Sequence, residues 1–165
     1  MSLPEMIEIG PLGNAKLGDQ YWSEKGNDKI TNIYISHFPS SIASLQFQYV
    51  NQYGQHVLSK LYGTSNGSKF NVLKLDSSEY ITGVKGLFDP VKGIRSLTFV
   101  TNKKQIGPFG FNSNVDGVAG GSDGCSKVAP FDLQFGPSRR FGGFSGRTND
   151  GRVTSIGGYV KTVEP

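Results

Sequence analysis

Reactive side chains are few in this chain, and their spacing limits the chemistry open to them. The only imidazoles are His37 and His56, and the only thiol is Cys125. They stand far apart and show no metal-ligand spacing, so no metal site is expected. His37, beside Phe38-Pro39, reads as a surface or packed histidine. The stretch GFSGR at 143–147 narrowly misses Gly-x-Ser-x-Gly: an arginine replaces the last glycine, and no histidine follows it in the chain. The glycine-rich run GVAGGSDGCSK at 117–127 lacks the Gly-Lys-Ser/Thr of a phosphate loop. The carboxylate pairs Asp76/Glu79 and Asp116/Asp123 read as solvated turn residues. No catalytic set emerges, so neither an enzyme nor a cofactor is expected.

One stretch remains, GRTNDGRVTSIGGYV at 146–160. A polar tip, Thr148-Asn149-Asp150-Gly151, runs into a strand of alternating character. Such a hairpin either closes a sheet or holds a ligand in its loop, and the residue types alone leave both open.

The rest of the chain must position that loop. Charged residues make up 18%, below the usual ~25%, while 23 glycines accompany many Ile, Val, Phe, Tyr, Thr and Ser. That composition favours short strands and tight turns. The net charge of +4 comes from 17 basic and 13 acidic residues. The basic residues are scattered apart from Lys103-Lys104 and Arg139-Arg140, unlike the clustered stripe of a nucleic-acid binder. No run approaches the ~18 apolar residues of a membrane span, and the first residues, MSLPEMIEIG, lack the pattern of a secretory signal. A lone cysteine cannot form an internal disulfide. A cytoplasmic or nucleocytoplasmic location is the expectation. Asn66-Gly67-Ser68 has the form of a glycosylation sequon and is read as a turn.

Alternation marks strands in ITNIYIS (30–36), SLQFQYV (44–50), KFNVLKL (69–75), SLTFVTN (96–102) and FDLQF (131–135). In ITNIYIS, Ile30 shares a face with Asn32 and Tyr34, opposite Thr31, Ile33 and Ile35. IASLQF at 42–47 returns as IRSLTF at 94–99, a spacing of 52. Each follows another strand and a turn, and each has an aromatic strand further upstream, at Trp22 and at Phe70. A looser third copy opens at Phe131, continues through FGGFSG (141–146) and ends in VTSIGGYV (153–160). Three four-stranded units make about twelve strands, and none can bury a face alone. Three sheets around a shared axis, with the long loops at the ends of a prism, satisfy that requirement. Residues 111–127 read as a long loop between the second and third units.

These features resemble the jacalin-related lectins, plant proteins of the β-prism I fold. The resemblance runs from about Ile9 to Val160. Its most specific piece is SLTFVTNKKQIGPFG (96–110), with Ile106 where a tyrosine is usual; IGPLGN (9–14), EYITGVKG (79–86) and FGGFSGR…IGGYV (141–160) follow in family order. It implies an all-β chain of three four-stranded Greek-key sheets with pseudo-threefold symmetry. The expected organisation is an N-terminal extension at 1–8 and one lectin domain over 9–163.

The resemblance also implies a function: binding glycans, most often of mannose or galactose type, in plant stress or defence, with sheet edges that support a homodimer. In the family a Gly-x-x-x-Asp loop before the last strand holds the sugar, aided by the first unit's Gly-Gly turn and a loop of the second unit. Carried over, those positions are Gly13 and Asn14, Phe88 and Asp89, and Asn149, Asp150, Gly151, Arg152, Val153 and Thr154. The motif is degenerate. Asp150 occupies the glycine's place and Thr154 the aspartate's, and the loop is one residue longer than usual. The corresponding loops of the first and second units, HFPSS (37–41) and DPVKG (89–93), do not carry the motif. A threonine cannot give the two-oxygen acceptance of a carboxylate. Two readings follow: a lectin with an altered site, or a jacalin-fold domain that works through protein partners.

Overall fold

The computed structural model describes residues 5–13, 20–111 and 128–162. Asn14, Cys125, the pair Asp116/Asp123 and all of the 111–127 loop beyond Phe111 fall outside them. Among the described residues every regular element is a strand. In order they are β1 (Met6–Gly13), β2 (Gln20–Ser23), β3 (Ile30–Phe38), β4 (Ser41–Val50), β5 (His56–Leu58), β6 (Tyr62–Gly63), β7 (Lys69–Lys74), β8 (Ile81–Asp89), β9 (Gly93–Thr101), β10 (Gln105–Gly110), β11 (Ala129–Gln134), β12 (Phe141–Asn149) and β13 (Arg152–Lys161).

They form three antiparallel sheets, ordered β1-β13-β12-β2, β5-β4-β3-β7 and β10-β9-β8-β11, with β6 also on β4. This is the β-prism architecture. At the centre of each sheet is one of the expected hairpins: β3–β4, β8–β9 or β12–β13. The outer strands do not stay with their own unit. The strand before each hairpin joins a neighbouring unit's sheet: β7 pairs with β3, β11 with β8, and β2 with β12. The strands of Trp22, Phe70 and Phe131 therefore belong to a different sheet from the hairpin they precede. The N-terminal β1 supplies the outer partner of β13, with Met6 opposite Lys161.

Two details differ from the expectation. The second sheet has five strands, because its outer edge is broken into β5 and β6. The break falls at Ser59, whose Oγ accepts the Phe47 N–H at 2.9 Å in place of a ladder bond. Ile30 is also buried alongside Ile33 and Ile35. A bulge between Ile30 and Asn32 changes the register there and returns Ile30 to the core side.

The three hairpins share one irregularity. Ser36 pairs with Ser44 but His37 with Ile42, so the ladder skips Ala43. In the same way it skips Arg95 and Thr154. The neighbouring outer strand covers the first two bulges with glycine. A Cβ on Gly63 would lie 2.0 Å from the Ala43 carbonyl oxygen, and one on Gly110 2.5 Å from that of Arg95. The next residues, Thr64 and Phe111, donate their N–H to those carbonyls at 3.0 and 2.8 Å. Gly13 occupies the corresponding register on β1, opposite Ser155 as Gly63 is opposite Ser44 and Gly110 opposite Ser96.

Counting from the bulges aligns the core. Ile42, Ile94 and Val153 are buried together, as are Leu45, Leu97 and Ile156. Phe47 and Phe99 then correspond to Gly158. That vacancy is filled by other rings: a Cβ on Gly158 would meet Phe135 Cζ at 2.7 Å. Phe144 stacks on Phe47 at 5.3 Å and meets Phe99 edge-on at 5.6 Å, joining all three units. Truncating Phe144 to Ala is expected to lower unfolding stability by about 3–5 kcal/mol, read by urea denaturation. Phe70→Ala, on the exposed face of β7, is expected to change it by no more than about 0.5 kcal/mol.

Candidate functional site

The β12–β13 hairpin turns through two residues. Asn149 pairs with Arg152, and both Asp150 (φ 50°) and Gly151 (φ 70°) adopt left-handed backbone. This is the type I′ geometry that Asp-Gly favours, and it matches the twist of the strands. The tip is braced from the first unit, where Thr64 Oγ1 donates to the Gly151 carbonyl at 3.1 Å.

Beside this tip the second unit's turn encloses a cleft of about 340 Å³ lined by Val91, Lys92, Asn149, Asp150, Arg152 and Thr154. Its polar groups are one carboxylate, two cations, an amide and a hydroxyl. The Arg152 guanidinium lies 5.7 Å from the Phe38 ring, tying the cleft to the first unit's tip. Thr154 sits at the bulge and is only 2% exposed. Its Oγ1 lies 3.4 Å from the Arg147 carbonyl, and Gly93 packs so closely that a Cβ there would be 2.9 Å from Thr154 Cα.

The structure therefore gathers Asn149, Asp150, Arg152 and Thr154 around one cleft, with Gly151 next to it. Gly13 lies across from Ser155, one residue from Thr154. Three expected positions point elsewhere. Val153 is in the core, 1% exposed. Phe88 packs on Phe131 at 6.2 Å. Asp89 is buried, and its Oδ1 accepts the N–H groups of Val91 and Lys92 at 2.7 and 3.1 Å, so its carboxylate fastens its own turn. The second unit contributes Val91 and Lys92 instead. Sequence reasoning missed them because it compared loops by motif; the packing of Gly93 on Thr154 is what brings the two residues before it to the third tip.

A larger groove of about 890 Å³ begins at the same tip and runs down the side of the prism. Thr148, Asn149, Asp150 and Gly151 line its upper end, and Trp22, Glu24, Asn27, Tyr49 and Tyr62 its lower end.

The remaining candidates are structural. His37 is packed in β3, with Nε2 3.0 Å from Asn71 Oδ1 and its ring 5.6 Å from Phe109. Ser145, the serine of GFSGR, is fully buried in β12. Glu79 is not solvated as expected; it is buried and accepts the Thr101 hydroxyl at 2.6 Å. Asp76 does lie exposed, bonded to Lys103 at 3.0 Å, and that ammonium holds its carboxyl below the ordinary aspartate value. Both lie at the end of the prism away from the cleft, since β8 runs from their turn to Asp89. Among the described residues no group of His, Cys, Asp and Glu could hold a metal ion, and no helix is long and apolar enough to cross a membrane.

Comparison with known proteins places this geometry. The family model of the jacalin-like lectin domain matches residues 9–159. Jacalin-related lectin 24 of Arabidopsis thaliana is 37% identical over 158 residues, which cover 94% of this chain and 68% of that protein. Protein RESTRICTED TEV MOVEMENT 1 of Arabidopsis thaliana is 35% identical over 170 residues, covering 96% and 90%. Among solved structures, single-chain recombinant jacalin superposes with a TM-score of 0.73 at 27% identity, covering 98% of this chain and 96% of its own. A mannose-binding lectin from Champedak gives 0.72 at 26%, covering 94% and 96%.

The turn's geometry makes a direct prediction. Gly151→Ala adds a Cβ 2.7 Å from Thr64 Cγ2 at a left-handed position, and is expected to cost about 1–2 kcal/mol. Asp150→Gly, which relaxes the neighbouring left-handed residue, is expected to leave stability equal or slightly higher. Thermal unfolding of the two variants measures both.

Proposed function

The chain belongs to the jacalin-like lectin family, whose members are carbohydrate-binding rather than catalytic proteins, and we propose that it binds mannose-type glycans at the tip of its last hairpin. The observation that carries this reading is the convergence of Asp150, Asn149, Thr154, Lys92 and Arg152 on one cleft. A sugar hydroxyl both donates and accepts. Asp150 supplies the charged acceptor for neighbouring hydroxyls, Lys92 and Arg152 supply donors, and Asn149 supplies either. Asp150 thus takes over from the opposite end of the loop the role that the family motif gives to the residue at Thr154. The choice of mannose is supported by the mannose-binding champedak lectin. We place the protein in the plant cytoplasm, or in both nucleus and cytoplasm, acting in stress or defence. Its relative named for restricting movement supports that role, and its single cysteine suits a reducing compartment. Assembly as a homodimer through the sheet edges belongs to the same proposal, and light scattering reads it.

A second reading, an interaction domain for protein partners without sugar binding, is favoured by one feature. The position of the motif's aspartate holds a threonine that is buried and turned toward the Arg147 carbonyl.

Calorimetry with methyl α-mannoside separates the two. Wild type is expected to bind near millimolar, about −4 kcal/mol, and Asp150→Ala to lose that binding. Thr154→Asp restores a charged acceptor worth about 1.5–3 kcal/mol and is expected to tighten binding roughly 10- to 150-fold. Silence from both wild type and Thr154→Asp on a glycan array contradicts the sugar site and leaves the protein-partner reading.

A further inference from the structure

We infer that the groove along the prism edge is a second subsite, continuous with the hairpin cleft, that takes the outer residues of an extended neutral oligosaccharide through Glu24, Asn27 and Tyr62. This rests on the glycan-binding reading above and specifies its ligand: a chain of sugars rather than a single one.

Position is the first argument. β2 is the last strand of one sheet, and β5 and β6 lie at the outer edge of the next. The groove runs between those two edges, from the β12–β13 tip to Glu24 and Asn27. Asn149 and Asp150 line both the cleft and the groove, so one ligand can pass from one to the other. At about 890 Å³ against 340 Å³, the groove holds more than twice the space of the cleft.

The chemistry at its lower end is the second. The Glu24 side chain is buried. It accepts the Tyr62 hydroxyl on Oε2 and the Asn27 amide on Oε1, the latter at 2.8 Å. A carboxylate offers about four lone-pair sites, so two remain for ligand hydroxyls. The Tyr62 oxygen keeps its own acceptor capacity. Burial first, and then the hydrogen bond to Glu24, raise Tyr62 above the ordinary tyrosine value, so it is neutral at physiological pH. Tyr49, also on the groove, is raised by burial and by the charge of Glu24. The Tyr62 ring is locked by stacking on Trp22 at 4.4 Å with an interplanar angle of 13°. Carboxylate, amide and phenol groups on a rigid aromatic support suit polyhydroxyl ligands. With Glu24 and Asp150 set against Lys60 along the groove, no single-sign field selects an ion.

Trp22 is the only tryptophan in the chain and stacks on Tyr62 in the wall of the groove, so its fluorescence reports on changes there. The test titrates the full chain with methyl α-mannoside and with linear mannopentaose, following Trp22 emission and heat in parallel. The pentaose is expected to bind about tenfold more tightly than the monosaccharide, the gain of one or two hydrogen bonds, and it alone changes Trp22 emission. Glu24→Gln and Tyr62→Phe are each expected to bring the pentaose to within about threefold of the monosaccharide while leaving monosaccharide affinity unchanged. Tyr62→Phe keeps the stacked ring, which separates loss of a contact from loss of packing. A pentaose that binds no more tightly, that leaves Trp22 emission unchanged, or that keeps its advantage in both variants overturns the subsite and leaves the hairpin site standing. Wild type that binds neither sugar overturns both.

Discussion

Two backbone carbonyls at equivalent β-bulges, those of Ala43 and Arg95, organise this fold, because a neighbouring strand reaches them only where it has no side chain. At Ala43 and Arg95 the covering residues are Gly63 and Gly110, each at positive φ with no room for a Cβ. The residue after each glycine then hydrogen-bonds the carbonyl it covers. The bulge bends each hairpin close to its tip. It also fixes which side chains face inward, so Leu45, Leu97 and Ile156 meet at equivalent depth. The exchange of outer strands ties the units together: no sheet is complete without a segment from elsewhere in the chain. The Phe47–Phe144–Phe99 contacts extend that dependence through the core.

Function enters where this common frame ends. The bulge position holds alanine, arginine and threonine in the three units, and the tips hold Pro39-Ser40, Pro90–Lys92 and Asp150-Gly151. The scaffold presents three similar ends and leaves chemistry to the few residues at each. At the second tip the available carboxylate, Asp89, is consumed by its own turn. At the third, the left-handed turn carries Asp150 into the lining of the cleft. The last hairpin, whose residue types leave open closing a sheet or holding a ligand, does the first by a geometry that also brings Asp150 to the cleft.

Much of this was legible in the residues. IASLQF and IRSLTF marked equivalent strands because the same buried positions recur in both. VTSIGGYV was harder to align, since Gly158 stands where Phe47 and Phe99 stand and its space is filled by Phe135, the residue just after β11. The exchange of outer strands was not legible: local alternation gives a strand's faces and says nothing of its partner. The site was half legible. Asn149, Asp150, Arg152 and Thr154 were expected from the resemblance and do converge. Phe88 and Asp89 were expected from the same resemblance, but Asp89 is held by its own turn and Val91 and Lys92 line the cleft instead. Glu24 and Tyr62 gave no local signal, because they are 38 positions apart and meet only when two sheet edges come together.

We propose that a sugar binds in the cleft between the third tip and the second unit's turn. Backbone amide NMR during titration with methyl α-mannoside tests it residue by residue. Saturable shifts are expected at Asn149–Thr154 and at Val91 and Lys92 only, with the Asp76–Glu79 end of the prism unmoved. Shifts centred elsewhere, or none at saturating sugar, would contradict it.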